Sequence, residues 1–205
     1  MRKFCLTIIV LAGFSKALFA QFGNCTASEM QTYTDRETGN TITILTDTLK
    51  NDRFLYQTDP MWTHDGKYLL FRSSSRANDK KIERTLPNGE KRSWTPTQIY
   101  FIEMATGQII QATEGPDLGS AFLANKSNRM FISRKEKEDW NMYVMDLDKF
   151  FADVKKGKVG KPTAYETLLG TFPTSMGRPG GYAIDCNDDY AYITVEREGT
   201  EEEKE

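Results

Sequence analysis

The sequence is short of the residues that most enzymes rely on. It holds one histidine, His64, in 205 residues. Metal sites gather several His, Cys or carboxylate ligands, so His64, beside Asp65-Gly66, reads as a turn residue. There is no Gly-x-Ser-x-Gly elbow, and a single turn-located histidine cannot serve a Ser/His/Asp set. The three cysteines show no metal-site spacing. No apolar run reaches the roughly 20 residues that a membrane-spanning helix takes. Basic residues are not in excess either: 27 Lys and Arg face 29 Asp and Glu. Such a chain has no overall field to draw nucleic acid, and an anionic ligand would need a local basic pocket.

What is present starts at the N-terminus. Arg2 and Lys3 give a positive start, an apolar run follows from Phe4 to Phe14, and small Ala20 precedes Gln21. This is the pattern of a secretory signal. Residues 1–20 are expected to be a signal peptide cut after Ala20, with the product exported to a periplasm or secreted and no membrane span left. Their removal takes away Arg2, Lys3 and Lys16 and no acids, leaving 24 basic against 29 acidic side chains. Cys25 and Cys186 remain in an oxidising compartment, where one disulfide is open to them.

The body of the chain repeats. Pro60 to Phe71, Ala121 to Ile132 and Tyr182 to Ile193 each read as a short apolar strand, a polar turn and an aromatic or aliphatic strand. Aligned by pattern, Tyr68, Met130 and Tyr190 correspond, at separations of 62 and 60. Asp65-Gly66 predicts a type I′ hairpin turn, the strongest short-range hairpin signal; Ser127-Asn128 and Asn187-Asp188 do the same less well. Gln98 to Met104 reads as a third strand and Ile109 to Thr113 as a fourth, with Asn141 to Asp148 as the third strand of the next repeat. Four antiparallel strands joined by hairpins make a propeller blade. Two polar stretches, Ser73 to Trp94 and Lys149 to Thr174, read as loop insertions. Thr41 to Thr46 reads as a lone closing strand. The expected fold is all-β: a partial β-propeller of about two and a half four-stranded blades plus an N-terminal closing strand, over residues 21–205. Complete propellers use about 4–8 blades; a small β-sandwich is the alternative.

Chemistry is thinly signalled. Asn24-Cys25-Thr26 and Asn125-Lys126-Ser127 match the N-glycosylation acceptor, a pattern that also arises by chance. Asp185, Asp188 and Asp189 resemble a calcium loop without meeting its spacing. Arg72 and Arg76 bracket Ser73-Ser74-Ser75 at the end of a second strand. Arg134 stands at the matching place in the second repeat by the same alignment, Arg197 lies a few positions past it in the third, and Arg178 leads into the third repeat. In a propeller these loops share one face, where arginine forks match carboxylates. Arg72, Arg76 and Arg178 are therefore the candidate substrate-binding residues. Trp94 and Trp140, nearer the loops, are placed either to stack on a sugar or to anchor a loop.

Thr58-Asp59-Pro60-Met61-Trp62-Thr63-His64-Asp65-Gly66-Lys67-Tyr68-Leu69-Leu70-Phe71-Arg72-Ser73-Ser74, followed by Gln98 to Ile102 and Ala105-Thr106-Gly107-Gln108-Ile109, resembles the oligogalacturonate lyase family. Asp35-Arg36-Glu37-Thr38-Gly39 is similar to that family's opening. The hairpin and the Ala-Thr-Gly turn are shared more widely, with TolB-like propellers and with propellers of prolyl-oligopeptidase-like enzymes. The resemblance implies a seven-bladed propeller acting on short galacturonate oligomers by β-elimination. A base takes the proton beside the carboxylate, and manganese or a similar divalent metal neutralises that carboxylate. It also implies a metal site of several histidines and a glutamine, with a histidine base, all on later blades. This chain carries one histidine, so no catalytic or metal residue is carried over. The alternatives to an N-terminal lyase portion are a TolB-like binding module and the propeller of an exported peptidase.

Overall fold

A computed structural model describes residues 21–77, 81–85, 89–115, 118–137, 139–172 and 178–196. The expected signal segment and Arg197 lie outside the described residues. Fifteen strands and one α-helix are present among them. In chain order they are β1 (Cys25–Thr26), β2 (Gln31–Thr34), β3 (Thr41–Ile44), β4 (Asp52–Arg53), β5 (Tyr68–Ser73), β6 (Ile82–Thr85), β7 (Lys91–Trp94) and β8 (Gln98–Glu103). They continue with β9 (Ile109–Gln111), β10 (Leu118–Leu123), β11 (Arg129–Glu136), β12 (Asp139–Asp146), α1 (Leu147–Lys155), β13 (Glu166–Phe172), β14 (Arg178–Ile184) and β15 (Ala191–Glu196).

The sheets are antiparallel and follow the blade plan. The first blade has the order β1-β9-β8-β5-β4, the second β10-β11-β12-β13, and the third is the pair β14-β15. The first blade is thus four strands with a fifth, β1, added from the N-terminal segment, where Cys25 pairs with Ile110. The chain is an all-β partial propeller, as the repeat implied.

Four details differ from the sequence reading. First, the hairpin at Asp65-Gly66 is a four-residue connection, His64 to Lys67, closed by Thr63 N donating to Tyr68 O at 3.0 Å. The Gly66 N–H donates to Thr63 O at 2.8 Å, and Gly66 alone of the turn has positive φ, +70°. A type I′ turn needs positive φ at both central residues, and Asp65 does not supply it.

Second, the repeat frame is 61 residues, not 62 and 60. The hairpin-closing bonds run from Thr63 N to Tyr68 O, from Ala124 N to Arg129 O and from Asp185 N to Tyr190 O. Tyr68, Arg129 and Tyr190 therefore correspond. A slip of one residue exchanges the two faces of a strand, so Arg72 is equivalent to Ser133 rather than to Arg134.

Third, Thr41–Ile44 is not a lone strand. It pairs with Gln31–Thr34, Thr32 opposite Thr43. Fourth, both polar insertions contain structure. The first holds the β6–β7 hairpin. The second holds α1 and then β13, the fourth strand of the second blade.

The helix explains the core. Leu147, Phe150, Phe151 and Val154 are its buried residues, at the i, i+3, i+4, i+7 spacing of one helical stripe. Its N-terminus is capped by Asp146, whose carboxylate accepts from Lys149 N at 2.9 Å, satisfying one otherwise unpaired amide. The stripe fills the seam between the first two blades. It meets Tyr68, Leu70 and Phe101 from one blade and Leu123, Met130 and Ile132 from the other. Phe151 stacks on Tyr68 with ring centroids 3.6 Å apart and meets Phe101 edge-on at 5.1 Å. Burying each such side chain contributes about 1.5–3 kcal/mol.

Candidate functional site

The blade faces meet tightly near the helix and part at the opposite end of the strands. Along β5 the residues facing the second blade are Tyr68, Leu70 and Arg72. The first two are 4% and 0% exposed, whereas Arg72 is exposed, because there the seam opens into a concavity of about 730 Å³. Arg53, Arg72, Tyr56, Asp59, Trp94 and Phe122 are among its lining residues.

Arg53 and Arg72 are direct cross-strand partners between β4 and β5. Like charges placed opposite each other on a sheet destabilise it. No ion pair reaches either guanidinium among the described residues, Asp59 included. Arg53 Nε donates to Asn51 Oδ1 at 3.3 Å, which steadies that side chain. Two unneutralised arginines sit beside Trp94, 38% exposed, and Tyr56, 67% exposed. Such a surface can fork onto a carboxylate and stack on an apolar ring face.

The other expected site residues are placed differently. Arg76 does meet carboxylates, but they belong to this chain. Its Nη1 and Nη2 donate to Glu29 at 2.9 and 2.6 Å, and its Nε and Nη2 donate to Asp52 at 2.9 and 2.6 Å. The side chain is 7% exposed and lies over the Phe71 ring at 5.3 Å. Burial works against its charge, yet the hydrogen bonds to Glu29 and Asp52 raise its pKa above the ordinary arginine value. Hydrogen bonding to Arg76 in turn holds Glu29 below the usual carboxylate range. Arg76 fastens the N-terminal segment to the first blade. Arg178 opens β14, where it pairs with Glu196 in the strand register; its side chain lies outside the described residues. Arg134 donates to both Glu166 oxygens, at 3.1 and 2.8 Å, so it ties β11 to β13.

His64 is a hairpin-tip residue whose Nδ1 lies 3.0 Å from Asn125 O on the next blade. The third tip repeats the contact in another form. Asp188, at φ +64°, accepts from Asn125 N at 2.6 Å and from Lys126 N at 2.8 Å. Asp188 is therefore a brace between blades. The Asn125 side-chain amide donates to Asp185 O at 3.0 Å, so the second glycosylation triplet is built into the same contact. Cys25 and Cys186 are both free and exposed. Trp140 lies within β12, opposite Phe172, and only Trp94 of the two loop tryptophans lines the concavity.

Sequence reasoning missed Arg53. It lies on a strand of two residues, too short for any alternation to show. Its role follows only from its pairing with Arg72.

Comparison with known proteins bears on the fold. No family model matches the chain, and no curated protein sequence does. Solved structures do. One is an oligogalacturonate lyase in complex with manganese, 19% identical, with a TM-score of 0.56 over 82% of this chain and 36% of that one. Another is an oligogalacturonate lyase from Vibrio parahaemolyticus, 20% identical, with a TM-score of 0.55 over 81% of this chain and 35% of that one. The likeness is one of fold, that of part of a β-propeller. The chain spans about a third of the length of these structures, 36% and 35%.

The manganese of the first of these structures has no matching donor set here. Among the described residues no group of three or more His, Cys, Asp or Glu is arranged to hold a metal ion, and the ring of His64 is engaged with a backbone carbonyl. The described residues do not fit the metal. Among them, no helix is long and apolar enough to cross a membrane.

Proposed function

We propose that the concavity between the first two blades binds short anionic oligosaccharides of the galacturonate class, and that the chain supplies this surface to a propeller of the oligogalacturonate lyase type. The observation that carries the reading is the cross-strand pair Arg53 and Arg72, left without carboxylate partners among the described residues beside Trp94. Two opposed cations cost stability unless an anion comes between them. A uronate presents a carboxylate for the guanidinium fork and a ring face for an aromatic side chain. Each charge-assisted hydrogen bond adds about 1.5–3 kcal/mol.

Calorimetric titration with trigalacturonate and with an uncharged galactose trimer tests this. The charged sugar is expected to bind and the neutral one not to. Arg53→Ala and Arg72→Ala should each weaken binding about tenfold or more, with the melting temperature of the free chain kept or raised. Equal binding of both sugars, or none, would overturn the proposal.

One observation favours a second reading, a binding module without catalysis: the engagement of His64 with Asn125 and the lack of a donor set among the described residues. Incubation with trigalacturonate and manganese separates the two. Metal-dependent unsaturated product supports a lyase, and binding without product supports the module.

A further inference from the structure

We propose that the loop after α1 is a second anion-binding surface, which holds long carboxylated polysaccharide chains of the polyuronate class at the end of the blades opposite the concavity. Lys155, Lys156, Lys158 and Lys161 are four of the seven residues from 155 to 161, and no acid stands among them. All four are exposed. Lys155 pairs with Glu103 at 2.8 Å. Among the described residues no carboxylate forms an ion pair with Lys156, Lys158 or Lys161. A helix C-terminus favours cations, but only within about its last turn. That accounts for Lys155 and Lys156 and leaves Lys158 and Lys161 unexplained by the helix.

The loop is held as a fixed platform. Gly157, at φ +63°, ends the helix: its N–H donates to Val154 O at 2.9 Å, and the Lys158 N–H donates to Asp153 O at 3.0 Å. Val159 packs against the main core. The Gly160 N–H donates to the Tyr165 hydroxyl at 2.8 Å, which itself donates to the Asp153 carboxylate at 3.1 Å. The backbone and Val159 fasten the loop and leave its lysines in solvent. Lys155 and Lys161 line a concavity of about 1020 Å³ with Asn24, Gln108 and Glu114. Glu114 is the one acid among the lining residues, and its carboxylate accepts the Phe22 N–H at 3.2 Å. Ammonium groups on flexible stems act as point charges rather than as forks, so this surface reads charge along a chain and not the shape of one group. Among the described residues no large apolar side chain is exposed from 147 to 165. The loop therefore has nothing to bury in a lipid surface and no ring on which nucleic-acid bases could stack. The choice of a polyuronate rests on the proposed reading of the concavity, which takes short pieces of the same polymer.

The test is affinity electrophoresis of the full-length chain in native gels cast with polygalacturonate at low salt, measured against gels without polymer, beside calorimetric titration with trigalacturonate. The triple variant Lys156→Gln, Lys158→Gln, Lys161→Gln should weaken retention by the polymer about tenfold or more. It should keep the affinity for the trimer, which also shows that it is folded. The triple variant Lys81→Gln, Lys91→Gln, Lys137→Gln removes the same charge elsewhere and should keep its retention. Arg72→Ala should behave in the opposite sense to the loop variant, losing the trimer and keeping the polymer. Retention should fall as salt rises and vanish when the polymer is fully methyl-esterified. Unchanged retention of the loop variant, equal losses in the two triple variants, or tighter binding to duplex DNA or to anionic lipid vesicles than to polygalacturonate would each overturn the proposal. Lysine-dependent retention of the polymer without any binding of the trimer would count for the loop and against the concavity.

Discussion

Asp188 reaches across a blade boundary to accept the Asn125 backbone N–H at 2.6 Å. The same carboxylate accepts from Lys126 N at 2.8 Å and from the Ser127 hydroxyl at 3.0 Å, and its side chain is 1% exposed. Burial raises its pKa, but the two backbone amides and Ser127 outweigh that and leave it below the ordinary aspartate value. The third blade, only two strands among the described residues, is held to the second mainly by this tip and by the Phe122–Tyr182 ring contact at 5.3 Å.

Removing the carboxylate should free the third blade. Asp188→Ala strips partners from two backbone amides and a hydroxyl, at a cost of about 2–3 kcal/mol. Asp188→Asn keeps an acceptor and tolerates positive φ, so it should cost less. Hydrogen exchange would report the change as faster exchange in β14 and β15 with β11 and β12 unaltered. Uniform exchange across all three blades would contradict it.

The Arg76 network predicts an acid-sensitive N-terminal segment. Arg76→Met leaves Glu29 and Asp52 facing each other without a cation, and breaking such a buried pair costs about 3–5 kcal/mol. Glu29 titrates below its unfolded value, so its contribution is fully present above about pH 4.3 and is lost as pH falls through the lower folded pKa. In an acid titration followed by limited proteolysis, residues 21–47 should become cleavable before the blades. In Arg76→Met the same cleavage should occur at neutral pH.

The repeat is legible because each blade begins with the same hairpin, and turn residues announce hairpins through their own conformational needs. A frame drawn from the pattern alone is off by one residue because Tyr68 and Met130 look alike as apolar positions; only the bonds closing each turn show that Arg129 is the true counterpart of Tyr68. That slip hides the uniqueness of Arg72, whose counterpart Ser133 carries no charge. The helix is hidden differently. Lys149, Asp153, Lys155 and Lys156 make its segment read as loop, although Leu147, Phe150, Phe151 and Val154 carry helical spacing. The candidate site is half legible. Arg72 stands out at a strand end, while Arg53 depends on a cross-strand contact that no local pattern records.

Phe151 tests whether the helix is part of the core or an ornament on it. Phe151→Ala removes the stack on Tyr68 and the edge contact with Phe101, and should cost about 3–5 kcal/mol. Because the helix packs on both blades, chemical denaturation should remain a single transition at a lower midpoint. Two separated transitions would mean that the blades do not share this core.

Arg53 and Arg72 should show opposite signs in stability and in binding. In the free chain their opposition is a cost, so Arg72→Ala should leave the melting temperature unchanged or raise it, by up to about 1 kcal/mol of relieved repulsion. With trigalacturonate bound the same substitution removes a charge-assisted hydrogen bond and should lower the ligand-induced rise in melting temperature. Salt separates the two effects, since screening weakens the repulsion and the exposed attraction together. At high salt the stability gain of Arg72→Ala should vanish and the binding difference should shrink. A variant that loses stability in the free chain would show that Arg72 serves the fold, and would leave the concavity without its defining pair of unneutralised charges.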